Sequence, residues 1–132
     1  MTCRPHVVLT VALLCLIVAC DQDPFRQSKR TVLEGYSLER FEDGETYYLV
    51  HSRDPDDGGG VIGGTVVRIG WDHRHIVVMR KATFGGDQDG WLIIDTTSGV
   101  IQGPMSDAEF RKNSNAQVKT VSAPEAWKLL DR

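Results

Sequence analysis

Residues 36–50 read YSLERFEDGETYYLV, and this stretch decides the fold class. Tyr36 and Leu38 alternate with polar neighbours, the period of two expected of a half-buried strand. The run Thr46-Tyr47-Tyr48-Leu49-Val50 is rich in β-branched and aromatic side chains, which fit a pleated surface. Between them, after Phe41, stands Asp43-Gly44, a pair favoured in tight hairpins where both central residues take positive φ. The stretch therefore predicts an antiparallel β-hairpin.

Downstream, the same grammar repeats. Asp54-Pro55-Asp56-Asp57-Gly58-Gly59-Gly60 reads as a loop, because no strand tolerates that composition. Strands are expected over Val61 to Ile69 and His75 to Arg80, joined through Gly70-Trp71-Asp72-His73. A loop from Thr83 to Gly90 leads to Trp91-Leu92-Ile93-Ile94-Asp95, which turns through Thr96 to Gly99 into Val100-Ile101-Gln102. The pattern then changes. Ser106-Asp107-Ala108-Glu109 is a capping box, with Met105 and Phe110 placed as a hydrophobic staple. Ser122-Ala123-Pro124-Glu125 repeats the signal and starts a helix reaching toward Asp131, with Ala126, Leu129 and Leu130 as its apolar face. The expected fold is α+β: an antiparallel meander of about six strands followed by two short C-terminal helices covering one sheet face.

Upstream, the chain has a different chemistry. Val7 to Ala19 (VVLTVALLCLIVA) carries no charge and follows Arg4, the layout of a secretory signal over residues 1–19. As a helix this run reaches about 20 Å, short of the roughly 30 Å hydrocarbon core, so it reads as a signal rather than a permanent span. It ends in Ile17-Val18-Ala19-Cys20, the pattern of a bacterial lipobox whose cysteine receives diacylglyceryl lipid. Cys3 and Cys15 lie inside the discarded segment. With Cys20 made a thioether, the three cysteines leave no thiol for a disulfide, a metal or nucleophilic attack. Asp21, next to the lipidated residue, resembles the signal that retains a lipoprotein in the inner membrane. Residues 20–32 are polar and read as a lipidated tether, and residues 33–132 as one small domain.

The chain as a whole is 41% hydrophobic and 25% charged, but without the leader the hydrophobic share falls to about 35%. Loss of Arg4 leaves one cation fewer against the same 18 acids, making the remainder more negative than the full chain's −3. That balance argues against a partner held by phosphate neutralisation, so no nucleic acid is expected.

The sharpest chemical candidate is His73-x-His75, since alternate strand residues face one side and two imidazoles so spaced can share a metal. A third ligand is needed, and His51 or Asp72 would have to be brought close by the fold. The competing reading is a turn histidine beside a half-buried strand histidine. Asp54-x-Asp56 and Asp87-x-Asp89-Gly90 suggest fragments of calcium loops, yet Thr65 stands where a bidentate glutamate would close the first, and solvated acidic loops explain both. There is no G-x-S-x-G elbow, and Ser98-Gly99 fits a hairpin turn better than a nucleophile. Gly58-Gly59-Gly60 and Gly63-Gly64 lack the following helix that would cradle a phosphate. No cofactor is implied and no catalytic set is complete. Trp71, Trp91, Tyr36, Tyr47 and Tyr48 are expected in the core and rim of the sheet, and Arg68, Arg74, Arg80 and Lys81 on a solvated face.

Four local patterns together resemble a family of small bacterial lipoproteins without an assigned biochemical role. They are Gly35-Tyr36-x-Leu38-x-Arg40, Gly70-Trp71-Asp72-x-Arg74-His75-Ile76, Trp91-x-Ile93-Ile94-Asp95 and Gly103-Pro104-Met105-Ser106-x-x-Glu109-Phe110, in that order over most of the domain. The resemblance implies location and fold but no activity. It also implies a packed, aromatic-like role for His75, which stands where such proteins often carry tyrosine. The expected function is a lipid-anchored, extracytoplasmic binding or accessory module on the periplasmic face of the envelope. Its partners would be the membrane, through Cys20, and an envelope protein. Two alternatives are a metal-dependent envelope hydrolase using His51, His73 and His75, and a lipoprotein immunity factor against a toxin delivered to the periplasm.

Overall fold

The computed structural model describes residues 28–53, 60–83 and 85–130. The leader 1–19, Cys20, Asp21 and the acidic run Asp54-x-Asp56 lie outside the described residues. Eight strands and two α-helices follow in the order β1 (Lys29–Leu33), β2 (Tyr36–Arg40), β3 (Tyr47–His51), β4 (Gly64–Trp71), β5 (His75–Ala82), β6 (Gly90–Asp95), β7 (Ile101–Met105), α1 (Asp107–Arg111), β8 (Val121–Ser122) and α2 (Ala123–Leu129). A 3-10 turn over Ser114–Gln117 lies between α1 and β8.

The α+β class stands, with two changes to its detail. There are eight strands rather than about six, and the meander is divided between two sheets, of order β1-β2-β3 and β7-β6-β5-β4-β8. The additions are β1 and β8. Lys29–Val32, read from composition as tether, pair with β2, and Val32 is buried. Val121 and Ser122 pair with Ile69 and Arg68, far away in sequence.

The hairpin at Asp43-Gly44 forms, but not with the turn expected. Gly44 has φ of +73°, while no residue other than glycine has positive φ among those described. The loop is longer than two residues: the Phe41 amide donates to the Thr46 carbonyl at 2.8 Å, and Gly44 to Phe41 at 2.9 Å. Asp43 then closes it from outside, its Oδ1 accepting from the Glu45 and Thr46 amides at 2.8 Å each.

β6 explains the layering. Up to its last residue, Asp95, its sequence is an unbroken apolar run, which suits a strand covered on both faces. Leu92 and Ile94 join the main core with Ile69, Ile76 and Val78 from the same sheet, Leu38 and Leu49 from the smaller sheet, and Trp127 from α2. Trp91 and Ile93 point the other way, into a second cluster with Val77 and Phe110 of α1. The two helices therefore pack on opposite faces of the five-stranded sheet, not on one. Trp91 and Phe110 stack at 4.3 Å with rings 8° apart, and the Trp91 indole N–H donates to Asp107 at 2.6 Å.

On α2 the buried residues are Ala123, Ala126 and Trp127, whereas Leu129, expected on the apolar face, is 45% exposed. Trp127 lies 6.0 Å from Tyr47, with the guanidinium groups of Arg30 and Arg40 over its ring at 4.1 and 5.1 Å. Arg30 also donates to the Trp127 carbonyl, joining the first strand to the last helix. Gly70 lets the returning chain come close, since a Cβ there would collide with the Lys119 carbonyl.

Candidate functional site

Of the residues singled out for chemistry, Asp72, His73, His75 and Ser98 lie at one end of the larger sheet, where the β4–β5 and β6–β7 turns meet through Arg74, Asp95 and Thr96. Asp72 opens the first turn, directly after β4. Its Oδ1 accepts from the amides of Arg74 at 2.8 Å and His75 at 2.6 Å, and its Oδ2 lies 3.4 Å from His75 Nδ1. The two amide bonds, His75 first, hold the Asp72 carboxyl below its ordinary pKa.

His75 is directly opposite Asp95 of β6. Asp95 Oδ2 receives Arg74 Nε at 3.0 Å and Nη2 at 2.6 Å, and its Oδ1 receives the amides of Thr97 and Ser98 at 2.9 and 3.1 Å. The guanidinium is the main cause that holds Asp95 far below the usual carboxylate range, and the same bond raises the Arg74 pKa. The Arg74 carbonyl accepts from the Thr96 amide and hydroxyl at 2.9 and 2.7 Å. Each acidic oxygen here is thus engaged in holding a turn.

The histidines do not converge. His73 lies in the turn before β5 begins, so it does not share the strand face that an alternate-residue metal pair requires. His75 is half-buried beside Asp72. His51 ends β3 in the other sheet, its ring edge-on to Tyr36 at 4.5 Å and its Nδ1 accepting from the Arg53 amide at 3.2 Å. Among the described residues, no group of three or more His, Cys, Asp or Glu is arranged to hold a metal ion.

The remaining candidates serve similar structural ends. Asp89 Oδ1 accepts from the Ala82 amide at 2.8 Å, closing the β5–β6 loop, and Ser98 Oγ accepts from the Val100 amide at 3.3 Å within the β6–β7 turn. Tyr36, Tyr47 and Trp91 are buried, and Trp71 packs against the main core. Arg68 is exposed, as expected of a solvated face, whereas Arg80 is half-buried, and both brace neighbouring backbone. Arg68 donates to the Thr120 carbonyl at 2.9 Å, and Arg80 to the Ile62 and Gln88 carbonyls at 2.6 Å each. What sequence reasoning missed was Trp127 with its two arginines, for which the only signal was a lone tryptophan inside a two-turn helix.

No family model matches the chain, and no curated protein or solved structure matches it. No helix among the described residues is long and apolar enough to cross a membrane.

Proposed function

We propose that this protein is a lipid-anchored, extracytoplasmic binding or accessory module, held through Cys20 on the periplasmic face of the inner membrane. The observation that carries this reading is the charge-free run Val7 to Ala19 ending in Ile17-Val18-Ala19-Cys20. A diacylglyceryl group supplies two chains at once, which suffices for durable anchoring where a single chain does not. Asp21 supports retention in the inner membrane, and the short polar segment after it supports a domain kept near the bilayer. The likeness to small bacterial lipoproteins belongs to the same proposal.

Binding rather than catalysis is favoured because the polar groups nearest a catalytic constellation are already engaged. Asp72 and Asp95 close turns, and His51 lies in a different sheet from His75. A reaction would need at least one of them free to meet a substrate.

Growth with an alkyne-tagged palmitate, followed by membrane fractionation, tests the anchor. The wild-type chain is expected to carry label and to sediment with the inner membrane, and Cys20→Ala to lose both. Label persisting on Cys20→Ala overturns the lipid site, and recovery of the wild type mainly with the outer membrane overturns the role given to Asp21.

A further inference from the structure

We propose that the open edge of β4, from Gly64 to Val67, is a docking site for an extended segment of a partner protein that carries a basic side chain. β4 is paired with β5 from Gly64 opposite Ala82 to Trp71 opposite Ile76, with a bulge between Val66 and Arg68 that leaves Val67 without a partner. Its other edge is paired only at Arg68 and Ile69, by β8. The chain then leaves the ladder, because Ser122 caps α2 and Pro124, in the first turn, has no N–H to offer a neighbouring strand. Among the described residues, no strand continues β8 along Gly64 to Val67.

A groove with a cavity volume of about 280 Å³ runs beside this edge. Tyr47, at the start of β3, and Val66 line it together with Ala123 and Pro124 of α2. Tyr47, Val66 and Ala123 are buried, while Val67, also lining the groove, is 43% exposed. β3 is itself the last strand of its sheet, so the groove lies between two sheet edges. A strand edge presents alternating N–H and C=O groups, which an extended backbone satisfies and a compact ligand does not. β8 already uses this edge in that way at Arg68 and Ile69, and a docked segment would pair with the stretch on the other side of the bulge at Val67.

The charge at the groove specifies the side chain. Glu45 lines it and has no ion-pair partner among the described residues. Asp43, in the same turn, is occupied by the Glu45 and Thr46 amides. A lysine or arginine on the docked segment would meet Glu45. This inference specifies the binding part of the proposed function but does not depend on lipid at Cys20, so either can fail alone.

The test is selection of a displayed library of random peptides of about twelve residues against the full-length chain in detergent. Enriched peptides are expected to alternate β-branched with polar residues and to carry Lys or Arg. Their synthetic forms should bind at least about tenfold more weakly to Val67→Arg and to Glu45→Lys. Both changes are at exposed positions, and circular dichroism establishes that each variant is folded. N-methylation of every second peptide amide should abolish binding in one register and spare it in the other, the signature of a strand ladder rather than side-chain contact alone. The proposal is overturned if no peptide is enriched over a carrier control, if both folded variants bind as the wild type does, or if N-methylation is indifferent to register. It is equally overturned if sedimentation shows a dimer that Val67→Arg dissociates, which would give this edge to a second copy of the chain.

Discussion

Trp127 is where the first strands and the last helix meet, and its environment makes it unusually costly to remove. It is 4% exposed, contacts Tyr47 and lies under two guanidinium groups. Truncating such a side chain removes both transfer free energy and packing, so Trp127→Ala is expected to lower the unfolding free energy by about 3–5 kcal/mol in a urea titration. That is a large share of the roughly 5–15 kcal/mol of a small domain. Arg30→Lys should weaken the same contact without removing charge, because an ammonium cannot both cover the ring and keep the planar donor geometry. None of this was legible in the sequence. A helix of two turns has too few residues to fix the direction of its apolar face, and Leu129 and Leu130 were as plausible there as Trp127. Tyr36 was readable because the alternation of its strand assigns it a face, and Tyr47 and Trp91 because each lies in a run of aromatic and aliphatic residues typical of a strand.

The elements that were legible are those that carry their own boundary signals. α1 has only five residues and depends on its cap: the Ser106 amide donates to Glu109 Oε2 at 2.7 Å, and the Glu109 amide to Ser106 Oγ at 3.2 Å. Ser106→Ala should cost about 0.5–2 kcal/mol by thermal denaturation, with hydrogen exchange accelerated first at the α1 amides. Six strands were visible for the same reason, since β2 to β7 each have internal periodicity or flanking turn residues. β1 begins with two basic residues and β8 has only two residues in all. Their strand character comes from distant partners, and no local pattern reports it. The division into two sheets was hidden likewise, because it depends on how β3 and β4 pack rather than on what either contains. The histidine pair misled for a related reason: alternate-residue logic holds on a strand, and β5 begins one turn too late to include His73.

Across the whole molecule, carboxylates close the tight connections: Asp43 between β2 and β3, Asp72 between β4 and β5, Asp95 between β6 and β7, and Glu109 at the start of α1. Each has its pKa lowered by the hydrogen bonds it accepts. A depressed folded-state pKa means stability that is fully present above the unfolded value and lost as pH falls through the folded one. Urea midpoints should therefore be level near neutrality and decline below about pH 4, with Asp95→Asn less stable at pH 7 but showing a shallower acid decline. The pairing of Ile69 with Val121 and the bond from Arg30 to Trp127, 97 positions away, bear on timing rather than strength. Neither can form until nearly all of the domain has emerged from whatever releases it amino terminus first. A chain lacking α2 would leave the apolar face of β1 to β3 without Trp127, Ala123 and Ala126 to cover it, so closure of the main core is expected only once the last helix is in place.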